Sequence, residues 1–404
     1  MAQRLEERHL ADLHALAADL GVPRYRMLRR PELIREIEAR TEPQRDRERL
    51  TEANVDATEE VRGILEITPQ RHGFLRLRGL EAADDDVYIS ASQVRRCELR
   101  SGDEVSGPAR APRRGEHHRA LVHVDRVNGG DPQTEDRPQF ERLTPVLPTR
   151  RIPLDRDRDG VLVRAVDLLA PLALGQRVLV EAAPRSGRTT LLRELANAIA
   201  RTETAEVIVM LIDERPEEAT AWQEAAPNAE VATATADLAA AEQVGIARLA
   251  LERAKRRAEA GRDSVLVCDS LSRLAVATGD AAFVKQLFGA GRDLDEEGAG
   301  SLTVIATTLE GAEDDGLAHR AVATTESSLV KLDPGLAAAG VVPALAAAEC
   351  RISNEDQVRE PGELEAARRL RSLLADLDPT GAARLLRERI EGSATNAELL
   401  RSFN

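Results

Sequence analysis

Arg177-Val-Leu-Val-Glu-Ala-Ala-Pro-Arg-Ser-Gly-Arg-Thr-Thr190 reads as an apolar strand, a turn of small residues, and a helix that opens on Thr189 and Thr190. That order is the layout of a phosphate-binding loop, where turn amides and a helix N-terminus converge on a polyphosphate and a hydroxyl holds Mg²⁺. The pattern G-x-x-x-x-G-K-[ST] is met at Gly187 and Thr189 and broken at two places. Ala182 stands where the first Gly belongs, and Arg188 stands where the Lys belongs. The loop predicts a nucleotide; the arginine makes hydrolysis an open question.

Two further strand ends belong with the loop. Val265-Leu-Val-Cys-Asp269-Ser270 is an apolar run ending in a carboxylate, which in such folds sits beside the loop and orients Mg²⁺, often through water. Met210-Leu-Ile-Asp213-Glu214-Arg215-Pro-Glu-Glu218 is another, and Glu214 is placed to orient or deprotonate an attacking water. Each pattern alone is common and weak. Loop, acidic strand end and Asp strand in that order, in one α/β unit and at the carboxyl edge of a sheet, point together to a nucleotide site.

The surrounding chain supplies that sheet. Val178–Glu181, Val207–Ile212, Val231–Thr235, Ser264–Asp269 and Ser301–Thr307 read as strands, separated by helical stretches such as Thr189–Arg201 and Glu242–Glu259. Alternation of this kind predicts a mostly parallel sheet covered by helices on both faces. The stretches Glu363–Asp376, Ala382–Glu391 and Ala397–Phe403 read as closing helices.

Upstream the pattern changes. Ile64–Ile67, Gly73–Leu77, Val87–Ser90, Glu104–Ser106 and Ala120–Val124 are short strands with a helical insert at Ser92–Leu99, which predicts a small barrel of the oligonucleotide-binding (OB) type. Gly129 to Pro138 reads as a linker. Leu10, Leu13, Leu16 and Leu20 mark a first helix that stops at Gly21-Val-Pro23, and a second begins at Pro31 with Leu33, Ile34 and Ile37 inward. The expected domains are a helical N-terminal subdomain (1–45), a charged linker (46–60), the barrel (61–128), a second linker (129–145) and the α/β domain with its C-terminal helices (146–404).

Composition narrows the classes. The 404 residues carry a net charge of −14, which argues against wholesale coating of nucleic acid but leaves room for a local basic groove. No apolar run is long enough to span a bilayer, and the first residues lack a signal peptide's apolar segment, so no membrane partner is expected. Cys97, Cys268 and Cys350 are scattered, without CxxC or a nearby His pair, which fits a reducing cytoplasm better than a disulfide framework or a zinc site. Basic residues are almost all Arg; the lysines are Lys255, Lys285 and Lys331.

With these residues in hand, the chain resembles the bacterial transcription termination factor Rho family, hexameric RNA-dependent ATPases and translocases. The likeness runs nearly end to end: Leu20-Gly-Val-Pro23, Gly63-Ile-Leu-Glu-Ile67, Gly73-Phe-Leu-Arg76, Asp85 to Val94, Leu172 to Thr190, Asp269-Ser-Leu-Ser-Arg-Leu274, and Phe288 to Thr307. Ile212-Asp-Glu-Arg-Pro-Glu-Glu218 is the most specific stretch, because generic P-loop proteins do not share it. The resemblance implies a multidomain α+β fold: a small helical subdomain, an OB or cold-shock-like β-barrel, and a RecA-like α/β P-loop NTPase domain.

The resemblance also assigns roles. Phe74 and Tyr88 become aromatic platforms for single-stranded bases, with Arg76 and Glu116 as polar partners and His72, Gly73, Leu75, Asp86, Val87, His117 and His118 around them. Stacking on an aromatic ring contributes about 1–3 kcal/mol per base without demanding much sequence. The bland alternative is that Phe74 and Tyr88 simply fill a barrel core. ATP is implied at Gly175, Gln176, Arg177, Arg185, Ser186, Gly187, Arg188, Thr189, Thr190 and Arg215. Mg²⁺ is implied at Thr189 and Asp269, with Glu214, Asp269 and Arg188 catalytic. Implied partners are single-stranded RNA, RNA polymerase and a hexameric ring of this chain, alone or mixed with another Rho.

Departures from the family cluster in the motor. Arg188 replaces a compact ammonium with a larger planar guanidinium. The adenine-stacking aromatic before Pro343 is Val342, and the arginine finger falls at Ser353, two positions from Arg351. One channel loop is cut to Thr278-Gly-Asp-Ala-Ala282, and the basic residue of the next falls at Ala323, near His319 and Arg320. Loss of a finger alone costs about 10³–10⁵ in rate. Three readings follow: an active RNA-dependent ATPase and translocase; a catalytically weakened relative that regulates by binding RNA or entering mixed rings; and a ring ATPase unconnected with RNA, against which the barrel argues.

Overall fold

A computed structural model describes residues 9–19, 22, 25, 28–37, 58–132, 137–154, 160–296, 298–311 and 315–403. Helix α1 (Leu10–Asp19) and helix α2 (30–37) pack around Leu13, Ala17, Val22, Leu33 and Ile37, with Ile34 against them. Leu13, Leu33, Ile34 and Ile37 thus face inward as the leucine and isoleucine spacing predicts. Leu20, Gly21, Pro23 and the side chains of Leu10 and Leu16 lie outside the described residues, as does most of the expected linker at 46–60.

The barrel is built from β1 (Thr58–Ile67), β2 (Gly73–Arg76), β3 (Val87–Ile89), β4 (Glu104–Arg110) and β5 (Arg119–Leu121). They pair in the order β1-β2-β3-β5-β4, and β4 returns to β1, which closes the sheet and leaves no free edge among these strands. A short β6 (Arg126–Val127) adds to β4, and α3 (Ala91–Arg96) follows β3 behind a Ser90–Gln93 capping box. Side chains alternate along each strand. Leu75, Val87 and Ile89 go inward to join Val61, Leu65, Val105 and Leu121, while Phe74, Arg76 and Tyr88 face out.

The second unit is the α/β domain. After β7 (Pro145–Val146) and α4 (Val161–Leu169) come β8 (Arg177–Ala182), α5 (Arg188–Arg201), β9 (Glu206–Glu214), α6 (Pro216–Ala225), β10 (Glu230–Thr235), α7 (Ala240–Glu259) and β11 (Ser264–Asp269). Then follow α8 (Leu271–Thr278), α9 (Ala281–Phe288), β12 (Asp293–Leu294), β13 (Leu302–Leu309), α10 (Asp315–Val322), β14 (Ser328–Lys331) and β15 (Arg351–Ile352). Seven of these strands form one sheet in the order β10-β9-β11-β13-β8-β14-β15, parallel throughout except at β15. The central strands are buried on both faces, which is why they read as unbroken apolar runs. Three helices, Pro361–Ala375, Pro379–Glu391 and Asn396–Arg401, close the domain around α4. Among the described residues no helix is long and apolar enough to cross a membrane.

The two units are joined through α7. Arg253 pairs with Glu104 at 2.9 Å, and Arg100 with Glu259 at 2.9 Å. Gly102 has φ +85, and a Cβ there would collide with the backbone of Glu252. Only glycine lets the barrel approach the helix so closely. The stretch expected as a second linker is also tied down: Phe140 is buried in the core of the α/β domain, and its amide donates to Glu259 Oε1 at 2.7 Å.

Candidate nucleotide site and RNA-binding face

The loop between β8 and α5 turns through Arg185 (φ +62) and Gly187 (φ +90), the residue that precedes the first helical turn. Ser186 is buried and braces the turn, its Oγ donating to the Ala183 carbonyl at 2.7 Å. Amides at the start of α5 have no helical acceptors and carry the positive end of the helix dipole, as a phosphate cradle requires. Arg185 and Thr190 are exposed at this loop.

Glu214 reaches the site because β9 is bulged. Ala234 pairs with Ile212 and Thr235 with Glu214, so Asp213 is skipped; it takes φ +53 and points to solvent. The bulge re-aims the next side chain inward. Asp269 ends β11, almost wholly buried, and Thr307 Oγ1 of the adjacent β13 donates to its Oδ1 at 3.1 Å.

Arg188 completes the arrangement by folding back onto both acids. Its Nε lies 3.0 Å from Asp269 Oδ1, and its Nη2 lies 3.1 Å from Glu214 Oε1. Arg273, on α8, also pairs with Glu214 Oε1. Two guanidinium groups thus balance two buried carboxylates. Burial pushes the Asp269 carboxyl above its ordinary range, against the opposing pull of Arg188. It does the same to Glu214, where Arg273 and Arg188 pull down. A carboxylate held this way is poorly free to take a proton from water.

The same geometry decides how Mg²⁺ fits. In such a loop the ion lies between the helix's first hydroxyl, here Thr189, and the strand-end carboxylate. Asp269 Oδ1 is ion-paired with Arg188 and accepts a hydrogen bond from Thr307, and its buried Oδ2 has no hydrogen-bond partner among the described residues. A dication placed there would face the guanidiniums of Arg188 and Arg273, which together already balance both acids. The residues present do not fit the ion.

Other expected nucleotide contacts divide. Arg215 caps α6 and is exposed near Glu214 in sequence. Gly175, Gln176 and Arg177 are not brought to the loop: they lie at the start of the six-residue β8, the opposite edge of the sheet. There Gln176 is fully buried and accepts from the Ala173 amide at 2.9 Å, while Arg177 donates to the Thr325 and Gly291 carbonyls. Val342 is 46% exposed. Ser353 donates its amide to the Ser327 carbonyl, and Arg351 is exposed and paired with Glu326 at 2.9 Å. The segment expected as a cut-down channel loop is a two-residue joint, with Gly279 left-handed after α8 and Asp280 capping α9. His319 faces Glu181 at 3.6 Å.

On the barrel, Phe74 and Tyr88 are cross-strand partners with ring centroids 6.0 Å apart. His72 lies 5.4 Å from Tyr88, and His118 lies 5.1 Å from Phe74. All four rings are half-buried, so the aromatics are surface groups and not core filling. Beside them opens a cleft of about 450 Å³ lined by Phe74, Arg76, Ala83, Asp84, Asp86 and His118. Arg76 is held at its wall by Asp86 and by Glu66, whose Oε2 accepts from Nε at 3.0 Å. Leu75 and Val87 point into the barrel, so only their backbone can meet a ligand on this face. His117 is exposed. Glu116 does not reach Arg76: Arg110 holds its carboxylate in two hydrogen bonds, at 2.6 and 2.8 Å, and keeps its carboxyl down to about 2.

Three site residues were not singled out from sequence: Glu66, Thr307 and Arg273. The signal for Arg273 was its place four residues after Asp269, which α8 turns back toward the acids.

Comparison with known proteins agrees with both halves. Residues 61–133 match the family model for the Rho termination factor RNA-binding domain, and residues 162–286 match the nucleotide-binding domain of the ATP synthase alpha/beta family. A transcription termination factor Rho of Aquifex aeolicus (strain VF5) is 35% identical, the match covering 100% of this chain and 95% of that protein. Another, of Bacillus subtilis (strain 168), is 34% identical, covering 99% of this chain and 95% of that one. Among solved structures, the assembled type III secretion ATPase EscN of enteropathogenic E. coli superposes with a TM-score of 0.54 at 19% identity, over 70% of this chain and 76% of that one, a likeness of fold alone. With both domains matched and relatives aligned over its whole length, this chain belongs to the transcription termination factor Rho family.

Proposed function

We propose that this chain acts as a Rho-type transcription termination factor. Residues 61–128 take single-stranded RNA, stacking bases on Phe74 and Tyr88 with His72 and His118 alongside and Arg76 and Asp86 at the cleft. Residues 146–404 take ATP at the loop from Arg185 to Thr190, and occupancy of that site in a ring drives RNA movement and transcript release from RNA polymerase. One observation carries the reading: a closed barrel with an outward aromatic face is anchored, through Gly102 and Arg253 against α7, to a motor that keeps loop, Glu214 and Asp269 at one sheet edge. The test is binding of a cytosine-rich single-stranded RNA together with RNA-stimulated ATP hydrolysis by the purified chain. RNA bound without dependence on Phe74 and Tyr88, or hydrolysis indifferent to RNA, contradicts it.

A second reading is favoured by the Arg188 pairs. With both acids engaged, Ser353 at the finger position and the channel loop cut to two residues, hydrolysis is slow, and the chain acts as an RNA-binding regulator or as a subunit of mixed rings. Turnover compared between the natural chain and Arg188→Lys separates the two.

A further inference from the structure

We infer that the Arg188 guanidinium takes the place of the divalent cation, so that this site binds a nucleoside triphosphate without Mg²⁺. The inference rests on the reading of the loop as a nucleotide site. A metal in such a pocket does two things: it neutralises the strand-end acids and it bridges them to phosphate oxygens. Arg188 already does the first together with Arg273, its Nε 3.0 Å from Asp269 and its Nη2 3.1 Å from Glu214, which Arg273 also holds. A guanidinium carries five donors in a rigid fork and remains charged at any working pH, so donors remain for a phosphate oxygen after both acids are met.

The position is built rather than accidental. Arg188 is the first residue of α5, so its backbone is fixed by the helix, and its side chain is 13% exposed. Asp269 is locked from the far side by Thr307, and Glu214 by Arg273 and the Asp213 bulge. A lysine cannot span both acids in this way, because its ammonium is a single point of charge. A Lys loop therefore leaves the acids to a metal, whereas the Arg loop supplies their counter-charge from the chain.

The experiment is titration of the full chain with a fluorescent N-methylanthraniloyl ATP, once in excess Mg²⁺ and once in EDTA, for the natural sequence and for Arg188→Lys. Thermal melts confirm that both fold. The expected result is a natural chain whose Kd differs by less than about threefold between the two conditions, and a lysine variant that binds more than about tenfold more weakly in EDTA. A natural chain that needs Mg²⁺ overturns the inference, and this arm requires no variant. Two variants equally indifferent to the metal also overturn it, since Arg188 is then not the cause. If the natural chain binds in neither condition while Arg188→Lys binds with Mg²⁺, the inference falls and the loop remains a nucleotide site. If neither chain binds in any condition, the loop reading falls with it.

Discussion

Arg188 Nε lies 3.0 Å from Asp269 Oδ1, so the side chain that a phosphate-binding loop usually aims at its ligand is turned onto the acid at the end of β11. The pair is buried, and a buried carboxylate stripped of its cation is costly. Arg188→Ala leaves Asp269 with the Thr307 hydroxyl and the more distant charge of Arg273, and should lower stability by about 3 kcal/mol, as expected when one partner of a buried pair is removed. Denaturant unfolding of the variant measures it.

That deficit depends on pH in a definite direction. Burial raises the Asp269 and Glu214 carboxyls in the folded state, and Arg188 opposes the rise. A carboxyl raised on folding favours the folded state at low pH, and this contribution is lost as pH climbs through the folded pKa. Without Arg188 both groups rise further. The Arg188→Ala deficit should therefore be larger at about pH 8 than at about pH 5, read from melting temperatures at both. A deficit that grows on acidification counts against the pairing.

RNA binding should depend on rings more than on Glu116. Phe74→Ala or Tyr88→Ala removes a stacking surface and should weaken binding of a cytosine-rich oligonucleotide by about 1–3 kcal/mol. Glu116→Gln should change it by less than about twofold, because Arg110 already holds that carboxylate away from Arg76. Fluorescence anisotropy at fixed salt compares the three.

Gly102 sets the seat of the barrel on the α/β domain. Gly102→Ala forces a Cβ into the Glu252 backbone and an L-residue into φ +85, a conformation costing about 1–2 kcal/mol before any collision. The expected outcome is a barrel that loosens from α7, seen as faster proteolysis in the 129–145 stretch. Cleavage no faster than in the natural chain argues against this seat.

Much of the architecture was legible because burial on both faces forces apolar runs: β8, β9, β10, β11 and β13 sit where Val178–Glu181, Val207–Ile212, Val231–Thr235, Ser264–Asp269 and Ser301–Thr307 predicted them. β14 and β15 escaped notice, since four and two residues leave too short a pattern. Phe140 sits as a lone aromatic in a polar, Pro-containing stretch, and nothing local says that it reaches Glu259 across the chain. At the site, motif spacing gave Arg188, Glu214 and Asp269 their neighbourhood. It could not give the direction of the Arg188 side chain, which turns onto both acids. Gly175, Gln176 and Arg177 show the opposite limit: roles that a family resemblance implies do not meet at the loop when a full strand intervenes.

The most direct measurement is steady-state ATP hydrolysis, with and without a cytosine-rich single-stranded RNA, by the natural chain and by Arg188→Lys. The account predicts slow, RNA-stimulated turnover in the natural chain and an increase of about tenfold or more when lysine releases Glu214 and Asp269. Turnover that is fast in the natural chain and falls on that substitution would show that Arg188 does not hold Glu214 and Asp269 back from the reaction, and would contradict it.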